Sequence, residues 1–451
     1  EKWEEYDKEG IGPEGMNTLP YYDSDLYDEH KSQSVLTNLY VTNRCNLRCS
    51  YCFANVGAEG FVYEPSLEEV RDLMKQVREG QEVPSKALQI TGGEPTVRDD
   101  IIDIVEMAEE EGFTHIQLNT NGIKLSEDVE FCKKLREAGV DTVYMSFDGI
   151  TEDSNPWVEQ QKEAVENLRE AGLGVVLVPV VIKGMNLEEL PEIIKYARDN
   201  SDVVRGVNFQ PVSFTGKITN ISKEDRERER VDYTAAFEAI EEGTDEQITK
   251  DDWYPVPFVY PISKLVENVK GERQVEFTSS PKCGGATYVF IDDEGEMIPI
   301  TRFIDVEGLM NYLDKLSDKG GFLKKIRISA SLLRNLNKFI DQEKAPDDVN
   351  LRRILLSAFV KGDYGSLGKF HYNSLYIGSM WFQDAWNLNM DRLSRCVIHY
   401  TTPEGIVPFC SYNGLNVGQK IREEHSETIE EWEERTGKSI EDDLWENGPI
   451  S

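Results

Sequence analysis

Short apolar runs alternate with amphipathic stretches through residues 35–212 of the chain. Six of the runs are short and rich in β-branched and aromatic residues, which predicts buried strands. They cover 35–42, 86–91, 115–120, 142–148, 174–182 and 206–212. The stretches between them repeat apolar residues at i, i+3 and i+4, the spacing of one helix face, and several end near Gly. This α/β pattern predicts a parallel sheet covered by helices, forming a partial (β/α)6, TIM-like barrel with its functional groups at the carboxyl ends of the strands.

The repeating pattern stops near residue 216. Two hairpin-like segments follow, 287–300 and 398–410, separated by helical material. The predicted domains are therefore an N-terminal extension (1–34), the barrel (35–215), a C-terminal domain (216–420) and an acidic helical tail (421–451).

Composition narrows the functional classes. The 451 residues are 39 % hydrophobic, enough for a sizeable core, and no apolar run is long enough to cross a bilayer. The 84 acidic and 49 basic residues give a net charge of −35, which argues against broad contact with nucleic acid or anionic membranes. No signal-peptide pattern is present, so we expect a cytoplasmic protein, and the missing initiator Met is compatible with a longer chain. The seven unevenly spaced cysteines fit metal ligation in a reducing compartment better than disulfides.

Three of these cysteines, Cys45, Cys49 and Cys52, follow the first predicted strand directly. Three thiolates on so short a loop can bind three irons of a [4Fe–4S] cluster and leave the fourth iron open. The alternative is a zinc site, for which His30 is the nearby candidate for a fourth ligand.

The spacing of these cysteines, with Tyr51 just before the last of them, resembles the radical S-adenosylmethionine (radical SAM) superfamily. The sequence after the second strand, Gly92-Gly93-Glu94-Pro95, matches the motif that binds the methionyl amine of the cofactor in that superfamily. From the residues themselves, the glycine pair permits close backbone approach and Glu94 can accept a hydrogen bond from an ammonium group.

Six further residues fit weaker positions of the same family. They are Asn119 and Asn121 after strand three, Ser146 and Asp148 after strand four, and Val178 and Val180 in strand five. Polar residues at strand ends are also common turn formers, and this alternative stays open. The resemblance implies that an electron from reduced ferredoxin or flavodoxin cleaves S-adenosylmethionine. The resulting 5′-deoxyadenosyl radical would abstract hydrogen from an unactivated carbon under anaerobic conditions.

Cys283, Cys396 and Cys410 form a second group, each adjoining one of the predicted hairpins. They resemble the ligands of auxiliary-cluster domains in related branches, which implies one auxiliary [4Fe–4S] cluster with His399, a substrate atom or an absent residue as the fourth ligand. The alternative is three buried free cysteines. Cys132 lies on the apolar face of a predicted helix, which indicates a core position.

The segments SRCVIHYTTPEGIVPFCSYN and HKSQSVLTNLYVTNRCNLRCSYCFA resemble the archaeal tetraether lipid synthase branch, which joins isoprenoid chains through carbon–carbon bonds. The chain departs from that branch upstream, where Leu19, Asp23, Leu26 and Val35 stand in place of cysteines. The resemblance implies an apolar isoprenoid ether lipid as substrate. The aromatic-rich passage 375–393 could line a hydrocarbon channel or simply be core. Two alternatives are a radical enzyme that modifies a peptide or protein side chain and a non-catalytic iron–sulfur or zinc scaffold.

Overall fold

A computed structural model describes residues 32–53, 60–292, 294–318, 324–346 and 374–445. The strands are β1 (Leu36–Tyr40), β2 (Phe61–Val62), β3 (Ala87–Thr91), β4 (His115–Thr120), β5 (Thr142–Ser146), β6 (Gly174–Val178), β7 (Val180–Val181), β8 (Val204–Pro211), β9 (Tyr254–Pro255), β10 (Gly284–Ile291), β11 (Met297–Pro299), β12 (Leu375–Met380), β13 (Ile398–Thr402), β14 (Gly405–Pro408) and β15 (Glu427–Thr428).

The α-helices are α1 (Leu67–Glu79), α2 (Ile101–Glu110), α3 (Ile123–Glu127), α4 (Val129–Ala138), α5 (Val158–Ala171), α6 (Leu190–Asp199), α7 (Lys223–Glu229), α8 (Tyr233–Gly243), α9 (Tyr260–Lys270), α10 (Val306–Ser317), α11 (Lys324–Asn335), α12 (Met390–Ser394), α13 (Phe409–Gly414), α14 (Val417–Glu424) and α15 (Ile429–Thr436). Across the described ranges, no helix is both long and apolar enough to cross a membrane. Most of the predicted N-terminal extension, including His30, lies outside the described residues.

The chain forms two compact units. The cysteine-loop unit is built from Gln33–Leu187, Phe209–Val231 and Trp381–Ser451. The described residues of the second unit come from Glu188–Asn208 and Asp232–Met380. Each unit thus collects several separate parts of the chain, and the division into four domains stays a prediction.

The cysteine-loop unit is organised around a sheet in the order β6-β5-β4-β3-β1-β13-β14. All neighbours are parallel except the last pair, β13 and β14, which form an antiparallel hairpin. The α/β fold class is confirmed, and each of the six strands predicted in the barrel is present. The run 174–182 divides into β6 and β7 at Pro179, because proline has no N–H with which to continue the ladder.

The strand β13 is an addition to the predicted sheet. The hairpin over 398–410 is confirmed as β13 and β14, but β13 also pairs in parallel with β1, with Thr37 opposite His399. The sheet of this unit therefore includes a strand from far along the chain.

The two faces of the sheet differ in polarity. One face carries Leu39, Leu88, Ile90, Leu118 and Val143, which are fully buried and supply the apolar core. Amphipathic helices supply the other side of such a core. Helix α1, for example, buries an apolar stripe along its length, and a Ser66–Glu69 capping box stabilises its first turn.

The opposite face of the same strands is polar. Asn38, Gln89 and Gln117 lie side by side across β1, β3 and β4. Gln89 Nε2 donates to Gln117 Oε1 at 3.3 Å, and Asn119 Nδ2 donates to Thr91 Oγ1 at 3.2 Å. Asn38 Nδ2 is buried and has no hydrogen-bond partner among the described residues. A buried donor without a partner is unusual, so this face retains hydrogen-bonding capacity.

The second unit packs an antiparallel sheet against helices α9, α10 and α11. Strand β10 pairs with β9, β11 and β12, which confirms the hairpin predicted over 287–300. The core between sheet and helices includes Leu265, Phe290, Phe303, Leu313 and Leu332.

Glu276 makes the stability of the second unit depend on pH. Burial, together with the charge of Glu267, raises the pKa of Glu276 to about 7, against about 4.3 in an unfolded chain. The folded state therefore binds this proton more tightly, and stability falls as pH rises from about 4.3 through 7. We expect Glu276→Gln to remove this fall, with a gain over wild type of about 2 kcal/mol at pH 8. Denaturant midpoints at pH 5 and pH 8 measure it; the exposed Glu272→Gln is the control. If the free energy of unfolding changed with pH in the same way in E276Q and wild type, Glu276 would not be the source of the pH dependence.

Candidate functional site

The three cysteines lie in one cluster on the loop that follows β1. Cys45 is buried in an apolar group that also contains Leu47 and Trp157. Cys49 and Cys52 are half-buried and pack against this group. All three thiols are outside any disulfide. Leu47 N donates to Cys45 Sγ at 3.4 Å, and Cys52 N donates to Cys49 O at 3.4 Å. The loop thus gathers the three thiols that the sequence motif predicts.

Burial disfavours ionisation of the Cys45 and Cys49 thiols. It raises the pKa of Cys45, with further contributions from Glu94 and from the charges of Cys52 and Cys49. Burial likewise raises the pKa of Cys49 to about 12, and Cys52 adds to the effect. A bound cation is therefore needed to hold Cys45 and Cys49 as thiolates.

The residues present fit a [4Fe–4S] cluster. Among residues that the structure describes, no group of three or more His, Cys, Asp or Glu side chains converges as ligands of one metal ion. A cubane does not require such convergence, because each thiolate binds a different iron. Trp157 belongs to the same apolar group as Cys45, and its buried indole N–H has no partner within the described ranges. The loop therefore offers three thiols, and Trp157 offers a spare hydrogen-bond donor in the same apolar group.

The glycine pair packs against the backbone of the cysteine loop. Gly93 N donates to Thr42 O at 2.7 Å, and Glu94 N donates to Arg44 O at 2.9 Å. A Cβ atom on Gly92 would lie 2.4 Å from Thr42 O, and one on Gly93 would lie 2.3 Å from Arg44 O. The two glycines are thus required by close contact between two backbone segments.

Glu94 is an internal hub. Its Oε1 accepts from Thr96 N at 3.1 Å, Thr96 Oγ1 at 2.7 Å and Thr120 Oγ1 at 2.7 Å. Its Oε2 accepts from Asn121 N at 2.7 Å. The carboxylate is fully buried, and burial raises its pKa although these hydrogen bonds act in the opposite direction. Its predicted contact with an ammonium group stays a prediction.

Asn121 connects this hub to the cysteine loop. Its Nδ2 donates to Asn46 Oδ1 at 2.7 Å, and Asn46 directly follows Cys45. Its Oδ1 accepts from Ile123 N at 3.1 Å, at the start of α3. Asn119, the other polar residue predicted here, lies on the polar face of the sheet.

A second group of predicted site residues forms around Asp148, which bonds to Tyr51 of the cysteine loop and to Val180. Tyr51 Oη donates to Asp148 Oδ2 at 2.8 Å, and Val180 N donates to Asp148 Oδ1 at 2.7 Å. Burial raises the pKa of Asp148 to about 6 and also raises the pKa of Tyr51. Ser146 is half-buried at the end of β5, and Val178 is buried at the end of β6. Asp148 therefore contacts the cysteine loop through Tyr51, and Val180 is linked to the loop through Asp148.

Two residues that the sequence analysis did not single out hold this arrangement. Asn186 Nδ2 donates to Asp148 O at 2.5 Å and to Val180 O at 2.7 Å, while its Oδ1 accepts from Ile182 N at 2.8 Å. Lys217 Nζ donates to Cys49 O at 2.9 Å, in line with a positive charge beside the loop. Neither residue belongs to a local motif, so neither could be found from local sequence patterns.

A narrow cleft, open to solvent, adjoins Tyr51 and Val180. Its lining is mainly apolar and aromatic, with three amides. The lining residues are Tyr51, Phe53, Val180, Gln210, Pro211, Val212, Ser213, Thr215, Phe382, Gln383, Phe409, Cys410 and Asn413. Phe382 and Phe409 stack with ring centroids 4.1 Å apart, which gives the cleft a flat aromatic wall.

The second group of cysteines is divided between the units. Cys396 and Cys410 both pack into an aromatic cluster of the cysteine-loop unit with Tyr400. Cys396 Sγ donates to Ile398 O at 3.0 Å, and Cys410 Sγ accepts from the backbone N–H of Gln383 at 3.3 Å. Cys283 belongs to the second unit, in a short 3-10 turn immediately before β10. The auxiliary cluster stays a prediction.

His399 and Cys132 are both buried. His399 Nδ1 lies 3.1 Å from Ser34 Oγ, and burial lowers the pKa of the imidazole to about 4, so it is neutral at physiological pH. Its role as fourth ligand of an auxiliary cluster stays a prediction. The core position predicted for Cys132 is confirmed.

Comparison with known proteins identifies the family. Residues 39–197 match the model of the Radical SAM superfamily. The chain is 42 % identical over 436 residues to a 7,8-dihydro-6-hydroxymethylpterin dimethyltransferase of Methanocaldococcus jannaschii, a match covering 94 % of this chain and 85 % of that protein. It is also 31 % identical over 187 residues to a probable GTP 3′,8-cyclase of Methanothermobacter marburgensis, covering 40 % of this chain and 59 % of that one. A mitochondrial GTP 3′,8-cyclase of Arabidopsis thaliana is 28 % identical over 272 residues, covering 58 % of this chain and 63 % of its own.

The match to the 7,8-dihydro-6-hydroxymethylpterin dimethyltransferase extends over almost the whole chain, well beyond the residues 39–197 that the family model covers. Together with the gathered thiols, it establishes that the chain belongs to the radical SAM superfamily of enzymes, with a [4Fe–4S] cluster and S-adenosylmethionine as cofactors.

Proposed function

We propose that this enzyme forms a new carbon–carbon bond at an unactivated carbon of its substrate. When bound, the cluster and S-adenosylmethionine supply a 5′-deoxyadenosyl radical that removes a hydrogen atom from such a carbon. The observation that carries the proposal is the cleft beside Tyr51 and Val180, which is mainly apolar and partly walled by stacked phenylalanine rings. Apolar walls favour radical chemistry because they place few polar hydrogen donors beside the reacting carbon.

The residues divide into three roles in this proposal. Cys45, Cys49 and Cys52 would bind the cluster. The residues that would hold S-adenosylmethionine are Tyr51, Gly92, Gly93, Glu94, Asn119, Asn121, Ser146, Asp148, Val178 and Val180. Reduced ferredoxin or flavodoxin would supply the electron, and Cys283, Cys396 and Cys410 would bind an auxiliary [4Fe–4S] cluster.

One candidate substrate is an isoprenoid ether lipid, joined or extended at a saturated carbon. Its support is the resemblance of the segments around Cys49 and Cys396 to tetraether lipid synthases, and the apolar walls of the cleft. The passage 375–393 adds little support: Leu375 and Ile377 are buried core residues, whereas Trp386 and Met390 are more than half exposed.

The second candidate is a reduced pterin. Its support is the 42 % identity to a protein named 7,8-dihydro-6-hydroxymethylpterin dimethyltransferase. Methyl transfer to a carbon of such a ring would be carbon–carbon bond formation of the same kind. Gln383 Oε1 already accepts from Asn389 N, and Asn413 Nδ2 already donates to Phe409 O. Gln210 is therefore the lining amide best able to pair with the polar edge of a flat heterocycle whose faces contact the phenylalanines.

Deuterium transfer tests the reaction and separates the two substrates. The enzyme is reconstituted anaerobically with iron and sulfide and supplied with S-adenosylmethionine and reduced flavodoxin. It is then incubated with either a deuterated isoprenoid ether lipid or a deuterated 7,8-dihydro-6-hydroxymethylpterin. We expect deuterium in 5′-deoxyadenosine with one substrate only, together with a product whose mass shows the new bond. Cys49→Ala is the inactive control.

Each outcome of this experiment has a defined meaning. Deuterium from the lipid supports the first candidate, and deuterium from the pterin supports the second. Unlabelled 5′-deoxyadenosine with both substrates would contradict both assignments and leave the peptide-modifying alternative to be tested.

A further inference from the structure

The segment that follows α15 lies against the cysteine loop. It includes a short 3-10 turn, Ile440–Asp443, and continues to Trp445. Trp445 N donates to Asn46 O at 3.1 Å. The side chain of Trp445 packs against the apolar group that contains Cys45, and Cys49 and Cys52 pack against the same group. This segment, residues 438–445, is called the cover below.

Arg44 is the principal polar contact of the cover. Its guanidinium Nη1 donates to Asp443 Oδ2 at 2.6 Å, and its Nε donates to Glu64 Oε2 at 2.8 Å. It also lies 4.7 Å from the ring centroid of Trp432. The Arg44 side chain is only 3 % exposed, so it depends on these partners for charge compensation. Because Arg44 directly precedes Cys45, restraining its side chain also restrains the start of the cysteine loop.

Two further contacts anchor the cover at its ends. Lys438 forms an ion pair with Asp99, which lies just before α2. Trp445 Nε1 donates to Glu127 Oε1 at 3.1 Å, at the end of α3. Leu444, between the two residues that contact the loop, is 36 % exposed. The buried contacts of the cover are therefore concentrated on the cysteine loop.

We propose that Asp443 and Trp445 are positioning residues that hold the cysteine loop in its ligating conformation and shield the cluster from solvent. The proposal rests on the assignment of Cys45, Cys49 and Cys52 as cluster ligands. The properties of an iron–sulfur cluster depend on solvent exposure and on the groups that orient its ligands. Trp445 supplies apolar cover next to the thiols, while Asp443 fixes Arg44 through a short, nearly buried ion pair.

The test compares full-length Trp445→Ala and Asp443→Asn with wild type and with Leu444→Ala as the matched control. In the apo protein, amide hydrogen exchange over residues 44–52 reports the order of the loop without any cluster. In the reconstituted protein, loss of the cluster's visible absorbance in the presence of an iron chelator reports shielding. We expect W445A to speed both processes by about tenfold, D443N to do so less strongly, and L444A to match wild type.

These two readouts separate the failure of the proposal from that of its premise. Exchange and bleaching rates within twofold of wild type in both W445A and D443N, with unchanged thermal unfolding, would overturn the proposal. Faster loop exchange without faster bleaching would overturn the shielding role. If Cys49→Ala retained wild-type iron content, the ligand assignment itself would fail, and the exchange data would still decide whether the cover orders the loop.

Discussion

Replacing Glu94 with Gln is expected to destabilise the apo protein by about 3 kcal/mol and to abolish measurable binding of S-adenosylmethionine. The Gln carbonyl oxygen can replace Oε1 and keep the three bonds from Thr96 and Thr120. The Gln amide nitrogen then lies where Oε2 accepts from Asn121 N, so two donors face each other in a fully buried position. Asn121 must shift, and its bond to Asn46 on the cysteine loop shifts with it.

Denaturant unfolding and titration calorimetry with S-adenosylmethionine check this expectation. The control is Glu69→Gln. Like Glu94, Glu69 accepts a hydrogen bond from a backbone N–H, that of Ser66, but this bond lies in an exposed helix cap. There water can compensate, and we expect a loss of less than about 1 kcal/mol. Equal effects of the two substitutions, or wild-type cofactor affinity in E94Q, would show that Glu94 is not the hub described above.

The strands of the barrel could be predicted from the sequence because their signal is local. Residues such as Leu39, Leu88 and Leu118 recur where one face of a strand needs core side chains, and the amphipathic helices complement them. The pairing of β13 with β1 could not be predicted in this way. The hairpin pattern over 398–410 predicts two strands and their turn. It does not predict that the free edge of β13 pairs with β1, because that pairing depends on the packing of residues far away in the chain.

The candidate site shows the same division between local and distant information. The motifs located Cys45, Cys49, Cys52 and Glu94, because each stands in a short pattern at a strand end. The contacts of Glu94 were not predictable, since its donors come from neighbouring turns whose approach depends on the register of β3 and β4.

Residues outside any motif were missed altogether. Asn186, Lys217 and Arg44 act through backbone carbonyls or a distant carboxylate, and such partners leave no trace in local spacing. The polar face of the sheet was also missed. A single Asn or Gln in an apolar run is compatible with a buried strand, so the sequence pattern did not predict a polar face. That face is formed because the register of the sheet places Asn38, Gln89 and Gln117 side by side.

Asn186→Ala is the second substitution for which a large effect is expected. It removes three hydrogen bonds that tie the segment after β5 to the segment after β6, through Asp148 O, Val180 O and Ile182 N. Asn186 is fully buried, so the released backbone groups lose their partners without access to water. We expect a loss of about 3 kcal/mol in the free energy of unfolding and at least about tenfold weaker binding of S-adenosylmethionine.

Asn167→Ala is the matched control for this prediction. Asn167 Nδ2 also donates to two backbone carbonyls, Leu125 O at 2.9 Å and Ser126 O at 3.0 Å, but these contacts lie on α5 and α3, outside the proposed cofactor residues. Asn167→Ala should therefore cost stability while leaving cofactor affinity near wild type. If both variants bound S-adenosylmethionine equally well, Asn186 would have only a structural role. If only N186A lost affinity, the hydrogen bonds that Asn186 donates to Asp148 O and Val180 O would be identified as contacts that the cofactor pocket requires.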